Sequence, residues 1–390
     1  MKVLYVISSF FTMTLIFLSS DVVLKYGTYG GLILCASFVT AVFLVYFFRK
    51  LLFRKRVEDS SKPLLLTLFA FHLLETFALQ VWIIAGVLRF TKEPPLELVL
   101  FIGASVIVVF MFFIRKKTSL LVNIIVVMNI SLIFVLAILL PNFIYLQKGL
   151  ETVYHNLLHY HPKVLHLNRE GLFSFYLAMT AVFVIKLFAA FHLHSFPKTS
   201  IKAKMLLIGM SVGSVTLAFS TMIIVAITER VQSAIPNLLI LSMLERMLSP
   251  FFFTFVLLVV FLGSINTIIL SMLFVNSYVN GLVPHIRKRY FLGLFFLFLV
   301  ITFTVWFHSV DYVIVQILLF LSIWQWPIMI GYAMLPAQRT AVYFSMGFLY
   351  VLICFNWYGD YPLVFWMNVI AIGSLVFAGL IRSLLFLRKK

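Results

Sequence analysis

The chain has 390 residues, 63% hydrophobic and only 11% charged; soluble domains carry about 25% charged residues, so this composition excludes an ordinary soluble fold. A formal net charge of +18 would suit a nucleic-acid binder, but the basic residues lie in short clusters between apolar runs. The two cysteines, Cys35 and Cys354, each sit inside an apolar run and give neither a disulfide framework nor a metal spacing.

A hydrocarbon core about 30 Å thick needs roughly 20 apolar residues in a helix, and such stretches recur along the whole chain. Span 1 is expected from Val3 to Ser19, after Lys2. The same stretch has the layout of a signal peptide, but a retained span keeps every later loop in register. Span 2 runs from Tyr29 to Phe48, and span 3 from Leu64 to Leu88 with His72 and Glu75 inside it. A turn at Pro94 and Pro95 leads to span 4, which ends at Ile114. Span 5, Leu120 to Leu140, is expected to stop at Pro141.

A long loop, Asn142 to Glu170, carries His155, His159, His161 and His166. Histidines so close together could hold a metal or sense pH. With no cysteine or paired carboxylate beside them, a solvated loop without metal is the expectation. Span 6, Gly171 to Phe196, has Lys186 at its centre, and span 7 covers Met205 to Ile227. The segment Glu229 to Pro250 is too polar and broken to span, and reads as a helical hairpin or re-entrant cap. Span 8 is Phe251 to Val275. Spans 9 to 12 follow at Tyr290–Phe307, Tyr312–Met334, Val342–Cys354 and Leu363–Leu387, with Gln316, Gln325 and Pro327 in span 10.

The expected fold is therefore all-α and polytopic, with about twelve spans. Basic clusters at Arg49–Lys62, Arg115–Lys117, Lys198–Lys204, Arg287–Arg289 and Arg388–Lys390 follow even-numbered spans and so fall on one side, while the intervening loops are poor in them. That pattern places both termini in the cytoplasm. It makes anionic lipid at the inner loops the partner of the basic charge, and not nucleic acid.

Lys186 is the residue that needs explaining. A cation in the middle of a span costs at least ~2.5 kcal/mol, so it normally has a partner or a water-filled cavity. Glu75 lies 13 residues beyond Lys62, and Lys186 lies 12 before Lys198. At 1.5 Å per residue both sit roughly 18–20 Å from the inner basic clusters. An acid and a base thus share a depth near the midplane, on antiparallel spans. His72 shares the face of Glu75. A buried ion pair, or a lysine kept neutral by burial, would each resolve the cost; the pair could serve structure alone or a solute. On span 8, Ser264, Thr267 and Ser271 form one hydroxyl stripe beside Gly263 and Asn266. Such a stripe either lines a path or packs helices. Asn123 and Asn129 on span 5 and Thr12 on span 1 are weaker candidates for the same polar interior.

No HExxH, GxSxG or P-loop occurs, and nothing calls for a cofactor. His308 and Asp311 are the nearest approach to a catalytic pair, so a non-enzyme is expected.

Leu120–Asn142, LLVNIIVVMNISLIFVLAILLPN, resembles span 5 of the spore-germination permease-like subunits. Ala234–Ser271 resembles their outer hairpin and eighth helix, with Glu245 and Arg246 in place of a Glu-Arg pair. The resemblance extends over roughly residues 60–280, and related bacterial permease-like proteins match about as well. These belong to the amino acid–polyamine–organocation superfamily with its LeuT-like fold. The resemblance implies two inverted five-helix repeats, 1–146 and 171–336, two further helices in 337–390, and a midplane solute site. It implies a bacterial inner-membrane protein that binds or moves an amino acid or similar small solute between spans 1, 3, 6 and 8. The site would include Lys186, Glu75, His72, Ser264, Thr267, Ser271 and Thr12. Family transporters unwind helices 1 and 6 at glycine-rich points; here span 1 offers only Ser8, Ser9, Thr12 and Thr14, and span 6 has Lys186 instead. That departure favours a second reading, a receptor that works with other membrane subunits and carries no flux. A lipid-linked-saccharide flippase or membrane transferase is the third.

Overall fold

The computed structural model describes residues 2–48, 62–90, 119–165, 171–193, 201–231, 233 and 238–282, together with 318, 322, 325, 326, 328 and 329. Every regular element among them is helical. In chain order these are α1 Lys2–Phe10, α2 Thr14–Tyr26, α3 Thr28–Phe47, α4 Lys62–Phe90 and α5 Ser119–Lys148. They continue with α6 Leu150–Tyr160, α7 Leu172–Leu193, α8 Ile201–Thr228, α9 Leu239–Met247 and α10 Pro250–Leu282. Spans 4, 9, 11 and 12, most of span 10, His166, His308 and Asp311 lie outside the described residues.

Six helices are long and apolar enough to cross a membrane, and α1 with α2 makes a seventh candidate, bent by 49°. By length and composition this is a multi-pass membrane protein. Span 2 is α3, span 3 is α4, span 6 is α7, span 7 is α8 and span 8 is α10.

The interior is built around α2 and α7. From Thr14 to Val23 every residue of α2 is buried, and α7 is buried from Ala178 to Leu193 except at Lys186. Apolar residues on all sides of a helix leave no face for solvent, which puts these two helices in the middle. α3 packs most extensively on α8 and α7, α4 on α10, and α2 on α8. Hydroxyl groups tie these contacts across helices. Ser37 Oγ donates to the Tyr176 carbonyl at 3.2 Å, Tyr145 Oη to the Thr221 carbonyl at 3.0 Å, and Ser19 Oγ to the Thr216 carbonyl at 3.3 Å.

Three expectations are corrected. Span 1 does not end at Ser19; it runs on to Tyr26 and is broken at residues 11–13. Its extension buries Asp21, a further acid inside the span. Span 5 does not stop at Pro141, which lies inside α5. Proline removes the donor that would serve the Ala137 carbonyl, a loss that membrane helices tolerate; at the next carbonyl along, Ile138 accepts from Asn142 Nδ2 at 2.8 Å. Residues 142–165 are largely helical, because Leu150–Tyr160 can bury Val153 and Leu157 against the bundle. The described part of the 229–250 segment contains one short helix, α9, with Leu239, Ile240, Leu241, Met243 and Leu244 buried. Its Glu245 and Arg246 are exposed.

α5 and α8 run in the same direction, and their C-terminal ends are tied together. Lys148 at the end of α5 pairs with Glu229 beyond the end of α8 at 2.8 Å. Thr28 at the start of α3 donates to the Val164 carbonyl at 3.2 Å. Gly27 joins α2 to α3 with φ 73° and ψ −161°, a region open essentially to glycine alone. A Cβ there would also stand 2.4 Å from the Val164 carbonyl oxygen. Gly27→Ala should therefore lower stability by at least about 2 kcal/mol. Thermal unfolding in detergent checks it: an unchanged midpoint would contradict this junction.

Candidate functional site

The site forms where α4 and α7 cross. Their polar residues are held in place by dense apolar neighbours: Phe183, Ile185, Leu187 and Phe188 around Lys186, and Leu73, Phe77 and Leu79 around Glu75, are all buried. Lys186 Nζ stands 2.6 Å from Glu75 Oε1. The contact is a close ion pair rather than an aligned hydrogen bond. Glu75 Oε2 accepts from Gln325 Nε2 at 3.1 Å, so span 10 also reaches the carboxylate. The two groups that the sequence set at one depth are thus in direct contact.

Burial is uneven across it. The Glu75 side chain is 3% exposed, whereas that of Lys186 is 21% exposed. The residues flanking Lys186 on every side of α7 are buried. With buried neighbours on every side, we read its accessible part as opening into a crevice between helices. An ammonium in such a crevice can exchange its partner for a solute group without leaving the protein.

His72 is buried one turn from Glu75, within electrostatic reach of both members of the pair, and its Nδ1 has no hydrogen-bond partner. Further along α4, Gln80 Nε2 donates to Thr14 Oγ1 at 2.8 Å. That bond links α4 to the break in span 1.

At the break the backbone leaves the helical pattern. The Thr12 amide donates to the Phe10 carbonyl at 2.8 Å, and the Leu15 amide to the Thr12 carbonyl at 3.1 Å. This frees the Phe11 carbonyl, which accepts from Asn129 Nδ2 of α5 at 2.7 Å. Among the described residues, the positive-φ non-glycine is Arg230, so the break needs no glycine of its own. The missing side chain is on the facing helix instead. A Cβ on Gly263 of α10 would stand 1.9 Å from Met13 Cε. The small residue that lets the chain bend lies on α10, not on span 1.

The other sequence candidates divide. Thr12 sits in the break and is partly buried. Ser264 and Thr267 are buried on α10, Ser271 partly so. Thr267 Oγ1 bonds back to the Gly263 carbonyl at 2.8 Å, while Ser264 Oγ and Asn266 Nδ2 have no partner. Among the described residues no hydrogen bond joins this stripe to the Glu75–Lys186 pair. Asn123 accepts a hydrogen bond from Tyr5 Oη. Of the loop histidines, His155 and His159 are exposed on α6, with their rings 6.4 Å apart. Among the described residues no group of three or more His, Cys, Asp or Glu side chains could hold a metal ion.

Gln325, Gln80, Thr14 and Asn129 are the site residues that sequence reasoning undervalued. Each is a polar group inside an apolar run, which is the signal that singled out Lys186. Buried polar atoms are normally hydrogen-bonded, yet His72 Nδ1, Gln80 Oε1, Asn129 Oδ1, Gln325 Oε1 and Trp326 Nε1 lack partners. Water or a polar solute in the crevice would satisfy them.

Asn129→Leu should expose the cost of the break. It leaves the Phe11 carbonyl unsatisfied, a loss of about 1–3 kcal/mol. Thermal unfolding measures it, and a neutral result would mean that this bond does not hold the break.

The chain matches no family model and no curated protein sequence.

Proposed function

We propose that this is a secondary-transporter-like membrane protein that binds or moves an amino acid or similar small solute at the Glu75–Lys186 pair. The observation that carries the reading is the Glu75–Lys186 contact between two apolar helices, its lysine partly accessible among buried neighbours, together with a broken helix and several unpartnered polar atoms. Ionisable groups at membrane depth mark solute or ion paths more often than they mark packing.

The LeuT-like arrangement belongs to the same proposal: about twelve spans, repeats at 1–146 and 171–336, two added helices, and cytoplasmic termini in a bacterial inner membrane. It is supported by the pairing of span n with span n + 5. α1 of span 1 touches α7 of span 6, α3 packs on α8, and α4 packs on α10. The broken span 1 also supports it. On this reading the chain is not an enzyme, and anionic lipid contacts its inner basic loops.

One observation favours the second reading, a non-transporting receptor subunit that acts with other membrane proteins. α7 is continuous from Leu172 to Leu193, with no unwound point among these described residues of span 6. Counterflow of radiolabelled amino acids into proteoliposomes separates the two. Accumulation above protein-free vesicles supports transport, whereas saturable binding with no accumulation supports the receptor. Neither binding nor flux across the amino acids would contradict both.

A further inference from the structure

We propose that α6 lies in the membrane interface, with one of its three faces immersed in lipid. At about 100° per residue, its side chains fall into three sectors. Val153 and Leu157 form the first and are buried, with α6 packing on α5 and α8. Leu150, Tyr154 and Leu158 form the second, and they are 72%, 56% and 41% exposed. Glu151, Thr152, His155 and His159 form the third, also exposed but polar. A loop helix in open water needs one apolar sector for the protein and none beyond it. A helix at the edge of a bilayer needs a protein side, a lipid side and a water side.

Lipid is the occupant because the second sector continues a surface that must already face hydrocarbon. Leu139, Phe143 and Leu146 of α5 are 60%, 48% and 86% exposed, and α5 is long and apolar enough to span. Leu150, Tyr154 and Leu158 follow Leu146 in the chain, on the helix that packs against α5. Gly149, at φ 80°, lets the chain change direction between the two helices. The far end is pinned by the Arg230 guanidinium, 4.6 Å from the Tyr160 ring centroid. Tyrosine at a bilayer edge keeps its ring in the apolar zone and its hydroxyl in the headgroups. His155 and His159 then stand at headgroup level on the water side, a placement that does not depend on what the Glu75–Lys186 site binds.

Site-directed spin labelling tests this in a Cys35→Ser/Cys354→Ser background. Single cysteines replace Leu150, Tyr154, Leu158, Thr152 or Glu151, and the labelled full-length protein is reconstituted in phosphatidylcholine–phosphatidylglycerol vesicles. Oxygen partitions into lipid and a nickel chelate into water. The ratio of oxygen to nickel relaxation enhancement should be several-fold higher at 150, 154 and 158 than at 151 and 152. Equal nickel access at all five positions would mean a solvated helix and overturn the proposal. Low access to both reagents at 150, 154 and 158 would mean that protein, such as a second copy, covers this face, and would overturn it too.

Discussion

Replacing Lys186 with methionine should destabilise the protein by about 3–5 kcal/mol, because it strands a dry carboxylate. Glu75 is 3% exposed on its side chain, so water cannot take over the role of the ammonium. Gln325 would remain as a neutral donor at 3.1 Å, too little to balance a full charge. Glu75→Gln alone should also destabilise, by leaving the ammonium without its acid, though less, since Lys186 reaches the crevice. The Glu75→Gln/Lys186→Met double variant should recover most of the loss, because an apolar replacement of a buried pair is often neutral. Chemical denaturation of the four proteins in one detergent gives the cycle. Additive losses, with no recovery in the double variant, would mean that the two residues do not act as a pair.

Gly263→Ala should cost about 1–3 kcal/mol, through forced repacking where Met13 of the span 1 break meets α10. The added Cβ would overlap Met13 Cε at 1.9 Å and press on its Cγ at 3.2 Å. Met13 is fully buried, so it has little room to swing aside. Met13→Ala removes the clash, and the double variant should be no less stable than Met13→Ala alone. A double variant as unstable as the sum of the singles would show that Gly263 matters for some other reason than Met13.

The pair was legible in the sequence because depth in a membrane can be counted. Residues from a basic cluster convert to ångströms, and that arithmetic put Glu75 and Lys186 at one level before any contact was known. The break in span 1 was not legible. Its residues, Phe11 to Met13, carry no helix breaker, and the groups that sustain it, Gly263 and Asn129, lie on other helices. Local reading also ended span 1 at Ser19, which hid Asp21, and ended span 5 at Pro141, although a membrane helix can carry a proline in its interior. Gln325 was visible as a polar residue in span 10, but its partner could be found only from packing across 250 residues of chain.

The central claim is that the Glu75–Lys186 pair holds a solute, and binding to the double variant tests it most directly. Glu75→Gln/Lys186→Met should be as folded as the parent protein, so lost binding cannot be blamed on unfolding. Amino acids are titrated by isothermal calorimetry into both detergent-solubilised proteins. The account predicts that a solute bound by the parent protein loses at least tenfold in affinity for the double variant, about 1.4 kcal/mol or more. Equal affinity for the two proteins would contradict it and leave the ion pair a structural feature of the fold.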